Sequence, residues 1–343
     1  MAHFIIGLIK SRNVQFCEVA QHLNDAVKPA SNEPRVQGFF REVDLDYLVL
    51  ARLLVRFLPV QSKLRLYLDR TEWAAGQCRV NILPVAVGQD AFQVPLYWEL
   101  PDNRSGNSNA AQRSAVREVC RAVPGHERVG LVLGDRAFVG HAWFKWLQDS
   151  GLNFVMRLPR HHLLPDAHDQ RQAIADLKLA IGQVRHFAQR QVDGIWGQVW
   201  VKALAGGDFL FLFGTAGLPD LGQLYARRWT IEQCIQNLKG RDFQLENSHL
   251  RCRHELRKLL ALVTFTYAFC LSVGQAADQR TPIARKNHGY RATSLARNGL
   301  SILRQTTRPA TGTRHKLVRL VEALLDWMVR QLTNFQTPVK IVG

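Results

Sequence analysis

The stretch Y-A-R-R-W-T-I-E-Q-C-I-Q-N-L-K, residues 225–239, holds Tyr225, Arg228, Glu232 and Lys239 at offsets of 0, 3, 7 and 14. At 3.6 residues per turn these positions fall within a sector of roughly 60°. One helix face would then present a phenol, a guanidinium, a carboxylate and an ammonium together. A solvated, salt-bridged face is the alternative, because Arg228 and Glu232 are four residues apart. Ile231, Ile235 and Leu238 form an apolar stripe on another face, so the helix is partly buried and its polar stripe has a definite direction. Two further carboxylates close apolar runs. Leu64, Leu66 and Leu68 alternate with Arg65, Tyr67 and Asp69, and Val129–Leu133 runs into Gly134-Asp135-Arg136. Either aspartate alone reads as a turn or cap residue; the helix face makes them worth connecting.

The elements that must position these groups are legible from hydrophobic period. Leu64–Leu68 has strand periodicity, and Arg79–Gly88 and Ala91–Leu100 read as two more strands with a tight turn at Gln89–Asp90. Ala110–Ala122 is expected to be helical, Val129–Leu133 a short strand, Gly140–Ser150 a helix and Phe154–Leu158 a fifth strand. The order β-β-β-α-β-α-β implies a mixed sheet covered by helices. Gln183–Val192, Gly197–Ala203 and Phe209–Phe213 read as a small β-rich insertion. Asp220–Lys239 is expected as one long helix closed by Gly240. Ahead of the sheet, Phe16–Leu23, Val36–Val43 and Leu48–Leu58 read as helices, with a loop at Pro29–Pro34. With Arg12, Lys28, Arg35 and Arg41 among them, these could be a helix-turn-helix variant or a plain helical cap.

Composition narrows the class. The 343 residues carry 45 Lys+Arg against 28 Asp+Glu, a net charge of +17. Residues 251–343 hold 16 Lys/Arg and 4 Asp/Glu, so +12 of that excess lies in the last 93 residues. A basic surface of this kind most often meets nucleic acid, and 47% apolar content excludes a disordered chain. The six cysteines are widely spread without zinc-ligand spacing, which points to a reducing compartment and a cytoplasmic protein. Leu259–Ala277 has no charge but is interrupted by Thr264, Thr266, Ser272 and Gln275, so it reads as a buried core helix and no membrane span is expected. Leu317, Leu320, Val321, Leu324, Met328 and Leu332 form an apolar stripe at helical spacing near the C-terminus.

The 225–239 string resembles the Y-(2)-R-(3)-E-(6)-K signature of bacterial insertion-sequence DDE transposases of the IS-four group, with all four positions matching. Tyr67-Leu68-Asp69-Arg70-Thr71-Glu72-Trp73 and Leu133-Gly134-Asp135-Arg136-Ala137-Phe138 resemble the motifs around that family's two aspartates. Lys286-Asn287-His288-Gly289-Tyr290-Arg291 and Ser294-Leu295-Ala296-Arg297 are similar to its basic C-terminal segment. The resemblance implies an α/β fold: an RNase H-like mixed-sheet catalytic core with a β-rich insertion, flanked by helical N- and C-terminal regions. It divides the chain into a helical DNA-binding region at 1–58, the first part of the core at 59–160, the insertion at 161–218, the catalytic-helix part of the core at 219–275, and a basic helical region at 276–343.

The implied chemistry is cut-and-paste transposition. Asp69, Asp135 and Glu232 would be the catalytic, metal-holding carboxylates for Mg²⁺ or Mn²⁺, two ions clamping the attacking and leaving oxygens. Arg228 and Lys239 would hold phosphates and Tyr225 would hydrogen-bond one. The partners implied are double-stranded DNA, as inverted-repeat ends and as target, and a second subunit in a synaptic dimer on the bacterial nucleoid. The aromatic that stacks a flipped base in hairpin-forming members is not assignable: Phe209 sits where a Trp is expected, with Trp196 and Trp200 nearby in sequence. An RNase H-like nuclease without strand transfer would use the same carboxylates. A domesticated DNA-binding relative would normally have lost one of the three, and all three are present.

Overall fold

The structure, a computed structural model, describes residues 1–23, 28–58, 63–75, 78–89, 92–101, 109–123, 129–165, 170–287, 289–307 and 323. In chain order the helices are α1 (Ala2–Ser11), α2 (Phe16–Ala20), α3 (Pro29–Glu42), α4 (Tyr47–Phe57), α5 (Asn109–Ala122), α6 (His141–Asp149), α7 (Leu221–Ala226), α8 (Trp229–Gln236), α9 (Arg253–Arg280) and α10 (Leu295–Thr306). The strands are β1 (Leu64–Leu68), β2 (Thr71–Ala75), β3 (Cys78–Gln89), β4 (Phe92–Glu99), β5 (Val129–Gly134), β6 (Phe154–Arg157), β7 (Leu163–Pro165), β8 (Arg171–Ala173), β9 (Val184–Val192), β10 (Ile195–Ala203) and β11 (Phe209–Gly214). They form two compact units, one from residues 59–72 and 81–234, the other from 1–58, 73–80 and 235–343.

The first unit is built on a mixed sheet. β3 runs antiparallel to both of its neighbours β4 and β1, and β5 and β6 follow in parallel with β1, giving the order β4-β3-β1-β5-β6. Three antiparallel strands joined edge-on to two parallel ones, with crossover helices α5 and α6, is the RNase H-like arrangement expected from the sequence. Nearly every β5 and β6 side chain is buried, as parallel strands covered on both faces require. The sheet does not stop at β6. β11 pairs with it antiparallel, β10 with β11 and β9 with β10, so the stretch read as a β-rich insertion continues the same sheet. Phe211 and Phe213 of β11 are fully buried, and Phe213 packs on Phe144 and Phe154, which explains why these strands join the core sheet. β2 is an addition that the sequence pattern did not show; it follows β1 after a break at Asp69-Arg70 and pairs with β3.

The second unit is helical. The run Phe4–Ile9 is the buried core of α1. Pro29–Pro34, expected as a loop, is instead the start of α3: Pro29 takes the first helical position, where no N–H is needed. Phe4, Phe16 and Phe40 cluster where α1, α2 and α3 meet. Asp46 caps α4 by accepting from the N–H groups of Leu48 and Val49, at 3.0 Å each. The charge-free stretch from Leu259 lies in α9, whose most apolar window is 78% buried, so it is the central core helix of this unit. Lys258 is fully buried there and donates to the Phe40 carbonyl at 2.7 Å, satisfying one of the last acceptors of α3. The apolar stripe from Leu317 to Leu332 lies outside the described residues.

α9 and α10 cross at two glycines. A methyl at Gly274 would overlap the Leu295 carbonyl, and one at Gly299 would overlap the Cys270 carbonyl. Both obstacles are backbone, which cannot swing aside. Gly299→Ala should therefore destabilise the chain by about 1–3 kcal/mol, the usual range for overpacking a tight core. Gly240 meets nothing within 4 Å of its added methyl and has no left-handed backbone requirement. Gly240→Ala is thus the matched control, expected to melt within a degree or two of the parent; equal melting of both variants would show that the crossing can relax.

Candidate active site

Asp69 and Asp135 are brought side by side by strand register. β1 and β5 are parallel neighbours with Tyr67 opposite Leu133, and each aspartate lies two residues beyond that pair. The Asp69 N–H still donates to the Pro84 carbonyl of β3 at 3.4 Å, so its backbone remains tied to the sheet. Its Oδ1 accepts from the Arg70 N–H at 2.9 Å, and Arg70 is itself held by Asn81 Oδ1 at 3.0 Å. Asp135 opens a turn: its Oδ1 accepts from the Ala137 N–H at 2.9 Å and its carbonyl accepts from the Phe138 N–H at 3.0 Å. Phe138 is fully buried and anchors that turn. A methyl at Gly134 would crowd the Met156 sulfur at 2.6 Å and the Phe138 side chain at 3.1 Å.

Glu232 arrives on a helix that is not the continuous one expected. α7 is capped by Asp220, which accepts from the Gly222 and Gln223 N–H groups at 2.7 and 3.2 Å, and it ends at Ala226. A tighter turn follows, with the Arg228 N–H donating to the Tyr225 carbonyl at 2.8 Å and the Ile231 N–H to the Arg228 carbonyl at 3.0 Å. The Thr230 hydroxyl donates to the Arg227 carbonyl at 2.6 Å, the same carbonyl that accepts the Thr230 N–H at 3.4 Å. α8 then begins and is fixed to β4 by a hydrogen bond between Gln93 and Thr230 and by Cys234 Sγ on the Gln93 carbonyl at 3.8 Å. Ile231 and Cys234 are buried, which turns Glu232 to the opposite side. After α8 the chain makes a π-turn at Asn237–Arg241, with Gly240 inside it instead of ending an α-helix.

The groups meet around one guanidinium. Arg228 Nη1 lies 3.6 Å from Asp69 Oδ1, and its Nη2 hydrogen-bonds Glu232 Oε1. The Arg228 Cζ sits 5.7 Å from the centre of the Tyr225 ring. The Arg228 side chain is only 10% exposed and that of Asp69 14%, whereas Glu232 is half exposed. Burial raises the Asp69 carboxyl to about 6; Arg228 and the Arg70 N–H pull it down, while Asp135 and Glu232 push it further up. Burial also raises the Tyr225 phenol to about 12, opposed chiefly by Arg228. Burial by itself would lower the Arg228 guanidinium, but Tyr225, Asp69, Glu232 and Asp135 together lift it above the ordinary arginine value.

The fourth signature residue belongs to the other unit. Lys239 Nζ pairs there with Glu246 at 2.8 Å and stands 5.6 Å from the centre of the Trp73 ring. Of the aromatics considered for base stacking, Trp200 is buried and Trp196 is 63% exposed on β10. The supporting residues Gln93, Thr230, Arg70 and Asn81 were not singled out from the sequence. The only signal for Gln93 and Asn81 was polar type inside buried strands, and Arg70 and Thr230 gave none. Ser294 caps α10 by accepting from the Arg297 N–H at 3.2 Å, and Arg297 pairs with the buried Asp242 at 2.9 Å, so these C-terminal motif residues hold the helical unit together.

Carboxylate oxygens without cysteine or histidine are the donor set of a hard divalent cation. A buried, proton-seeking Asp69 and a guanidinium set among three carboxylates fit such an ion in kind. Among the described residues, however, no three His, Cys, Asp or Glu side chains are gathered tightly enough to share one ion. The positive charge at the centre of the cluster is that of Arg228.

Residues 102–269, just under half of the chain, match the family model of the transposase DDE domain. The segment takes in Asp135, Tyr225, Arg228, Glu232 and Lys239, and Asp69 lies ahead of it. This part of the chain is thus similar in sequence to a transposase DDE domain. No curated protein matches the sequence. Among solved structures, the chain is similar to a piggyBac transposase in a synaptic complex with hairpin DNA, at 10% identity and a TM-score of 0.45, over 93% of this chain. It spans just under two thirds, 66%, of that longer chain.

The raised Asp69 carboxyl has a consequence for stability. Because the folded chain holds this proton more tightly than the unfolded chain, its contribution is fully present below the unfolded value of 3.8 and is lost as pH rises through about 6. In chelator-treated protein, Asp69→Asn should change stability at pH 4 by less than about 1 kcal/mol and raise it at pH 7.5 by about 3 kcal/mol. Urea melts at the two pH values measure this. A variant less stable than the parent at pH 7.5 would mean that Arg228 outweighs burial at Asp69.

Proposed function

We propose that the protein is a DNA transposase of the IS-four group, which cleaves the inverted-repeat ends of its own element and joins them to target DNA. The observation that carries this reading is the meeting of Asp69, Asp135 and Glu232 around Arg228, with two of the three inside the stretch that matches a transposase DDE domain. Asp69, Asp135 and Glu232 would be the oxygen ligands of magnesium or manganese. Two such ions would supply the positive charge that in-line displacement at phosphorus needs on its attacking and leaving oxygens. Arg228 and Lys239 neutralise phosphate oxygens beside the scissile bond, and Tyr225 hydrogen-bonds a phosphate. In the cleavage step water attacks phosphorus and the 3′-oxygen leaves as the free 3′-hydroxyl of the element's end. In the joining step that 3′-hydroxyl, losing its proton, attacks a target phosphate and displaces the target strand's 3′-oxygen, which leaves as a hydroxyl.

The net charge of +17 supports duplex DNA as the partner, since each neutralised phosphate releases counterions. In this reading two subunits bridge two DNA ends, and the protein works in the bacterial cytoplasm on the nucleoid. The DNA flanking the gene supplies the terminal repeats and so the substrate.

On an oligonucleotide carrying that repeat, Asp69→Asn, Asp135→Asn and Glu232→Gln should each lower cleavage by more than about a hundredfold while leaving the gel shift largely intact. These swaps are near-isosteric and remove only the charge. Lys239→Ala should weaken cleavage more than binding, because its phosphate contact is one among many on a strongly basic chain. Cleavage retained in any carboxylate variant removes that residue from the cluster. Cleavage without joining of a pre-cut end to target DNA would identify a nuclease.

A further inference from the structure

Three carboxylates and one guanidinium leave the cluster with a net charge of −2, and the guanidinium, which also has the Tyr225 side chain as a hydrogen-bond partner, meets the carboxylates with poor geometry for so buried a group. Its Nη2 is hydrogen-bonded to Glu232, the most exposed of the three acids. Its Nη1 is buried without a hydrogen-bond partner, and at 3.6 Å from Asp69 Oδ1 it makes an ion pair too long to be a good hydrogen bond. An arginine fork that is one-tenth exposed normally uses its planar array bidentately. Here the site offers charge attraction to the guanidinium but not geometry. A compact divalent ion reverses that balance: it carries twice the charge and takes oxygen ligands from several directions.

We propose that Arg228 is the resident counter-ion of the metal-free cluster, and that a divalent cation entering the cluster displaces its guanidinium from Asp69. The inference rests on the metal-dependent reading above. It accounts for two observations together. The carboxylates are not drawn tightly enough to share an ion, because a guanidinium stands among them. Asp69 is nevertheless tolerated in a buried place, because a cation is always beside it. Arg228 is in this sense a positioning residue for the carboxylates, and leaving Asp69 returns a charged fork to the open side of the cluster, where Glu232 stands.

The test is direct Mn²⁺ binding to the chelator-stripped full chain without DNA, followed by the electron paramagnetic resonance of free Mn²⁺, with melting temperatures measured in parallel. Arg228→Gln is expected to bind Mn²⁺ about tenfold more tightly than the parent, to melt lower when stripped, and to gain more on adding Mn²⁺. Arg228→Lys keeps a charge without the fork and should fall between the two; it also decides the matter if Arg228→Gln does not fold. Unchanged or weaker Mn²⁺ affinity in the folded Arg228 variants, with binding lost in Asp69→Asn, would overturn the counter-ion role while leaving the metal site standing. Parent-like Mn²⁺ binding in Asp69→Asn would overturn the metal site itself, and this inference with it.

Discussion

A buried carboxylate is tolerated only where an opposite charge or several donors stand beside it, and at Asp69 that charge is Arg228. The site follows from this pairing. Burial alone drives the Asp69 carboxyl upward, Asp135 and Glu232 add to the push, and Arg228 is the largest force against it. The same guanidinium reaches Glu232, so it draws a strand end and a helix together. Removing the guanidinium would leave the Asp69 carboxylate buried without compensation, which is why the contact constrains what packs around it.

The rest of this unit brings those groups within reach. Parallel pairing of β1 with β5 is possible only across a crossover connection, and α5 supplies it between β4 and β5. That pairing puts two strand ends, and their aspartates, at one edge of the sheet. The helix end of the site is set independently. Cys234 and Thr230 fasten α8 to Gln93 of β4, and the tight turn at Arg227-Arg228 lets the guanidinium leave the helix toward Asp69. The break that spoils an ideal helix is therefore part of how the arginine arrives.

The aspartates and the arginine–glutamate pair were legible in the sequence for a physical reason: strand ends and four-residue helical spacing are local properties. Leu64–Leu68 and Val129–Leu133 carry period and length enough to place Asp69 and Asp135 at their ends. What was not legible depended on tertiary context. β2 follows a break at Asp69-Arg70 with no apolar alternation of its own. Helix α3 absorbs Pro29 and Pro34, which local rules assign to a loop. Strands β9, β10 and β11 alternate as an independent β subdomain would, and only the packing of Phe213 on Phe144 and Phe154 shows that they extend the central sheet. The uniform helix of residues 220–239 failed for a related reason. Periodicity records which side is apolar, and it does not record a hydroxyl taking a backbone carbonyl at Thr230 or the π-turn at Asn237–Arg241.

Charge ties the local site to the whole chain. A chain at +17 attracts a polyanion at long range, yet the cluster it would deliver a phosphate to is locally acidic. Two unit charges about 5 Å apart in a protein-like dielectric near 20 interact by roughly 3 kcal/mol, so a phosphate meeting three uncompensated carboxylates would be turned away. One guanidinium cancels a third of that repulsion, and the remainder calls for more positive charge at the cluster itself. Basic residues elsewhere on the surface cannot provide it, because salt screens their fields over about 10 Å. The global excess of arginine and lysine thus serves long-range attraction, whereas the local excess of carboxylate sets a repulsion that only positive charge at the cluster itself can offset.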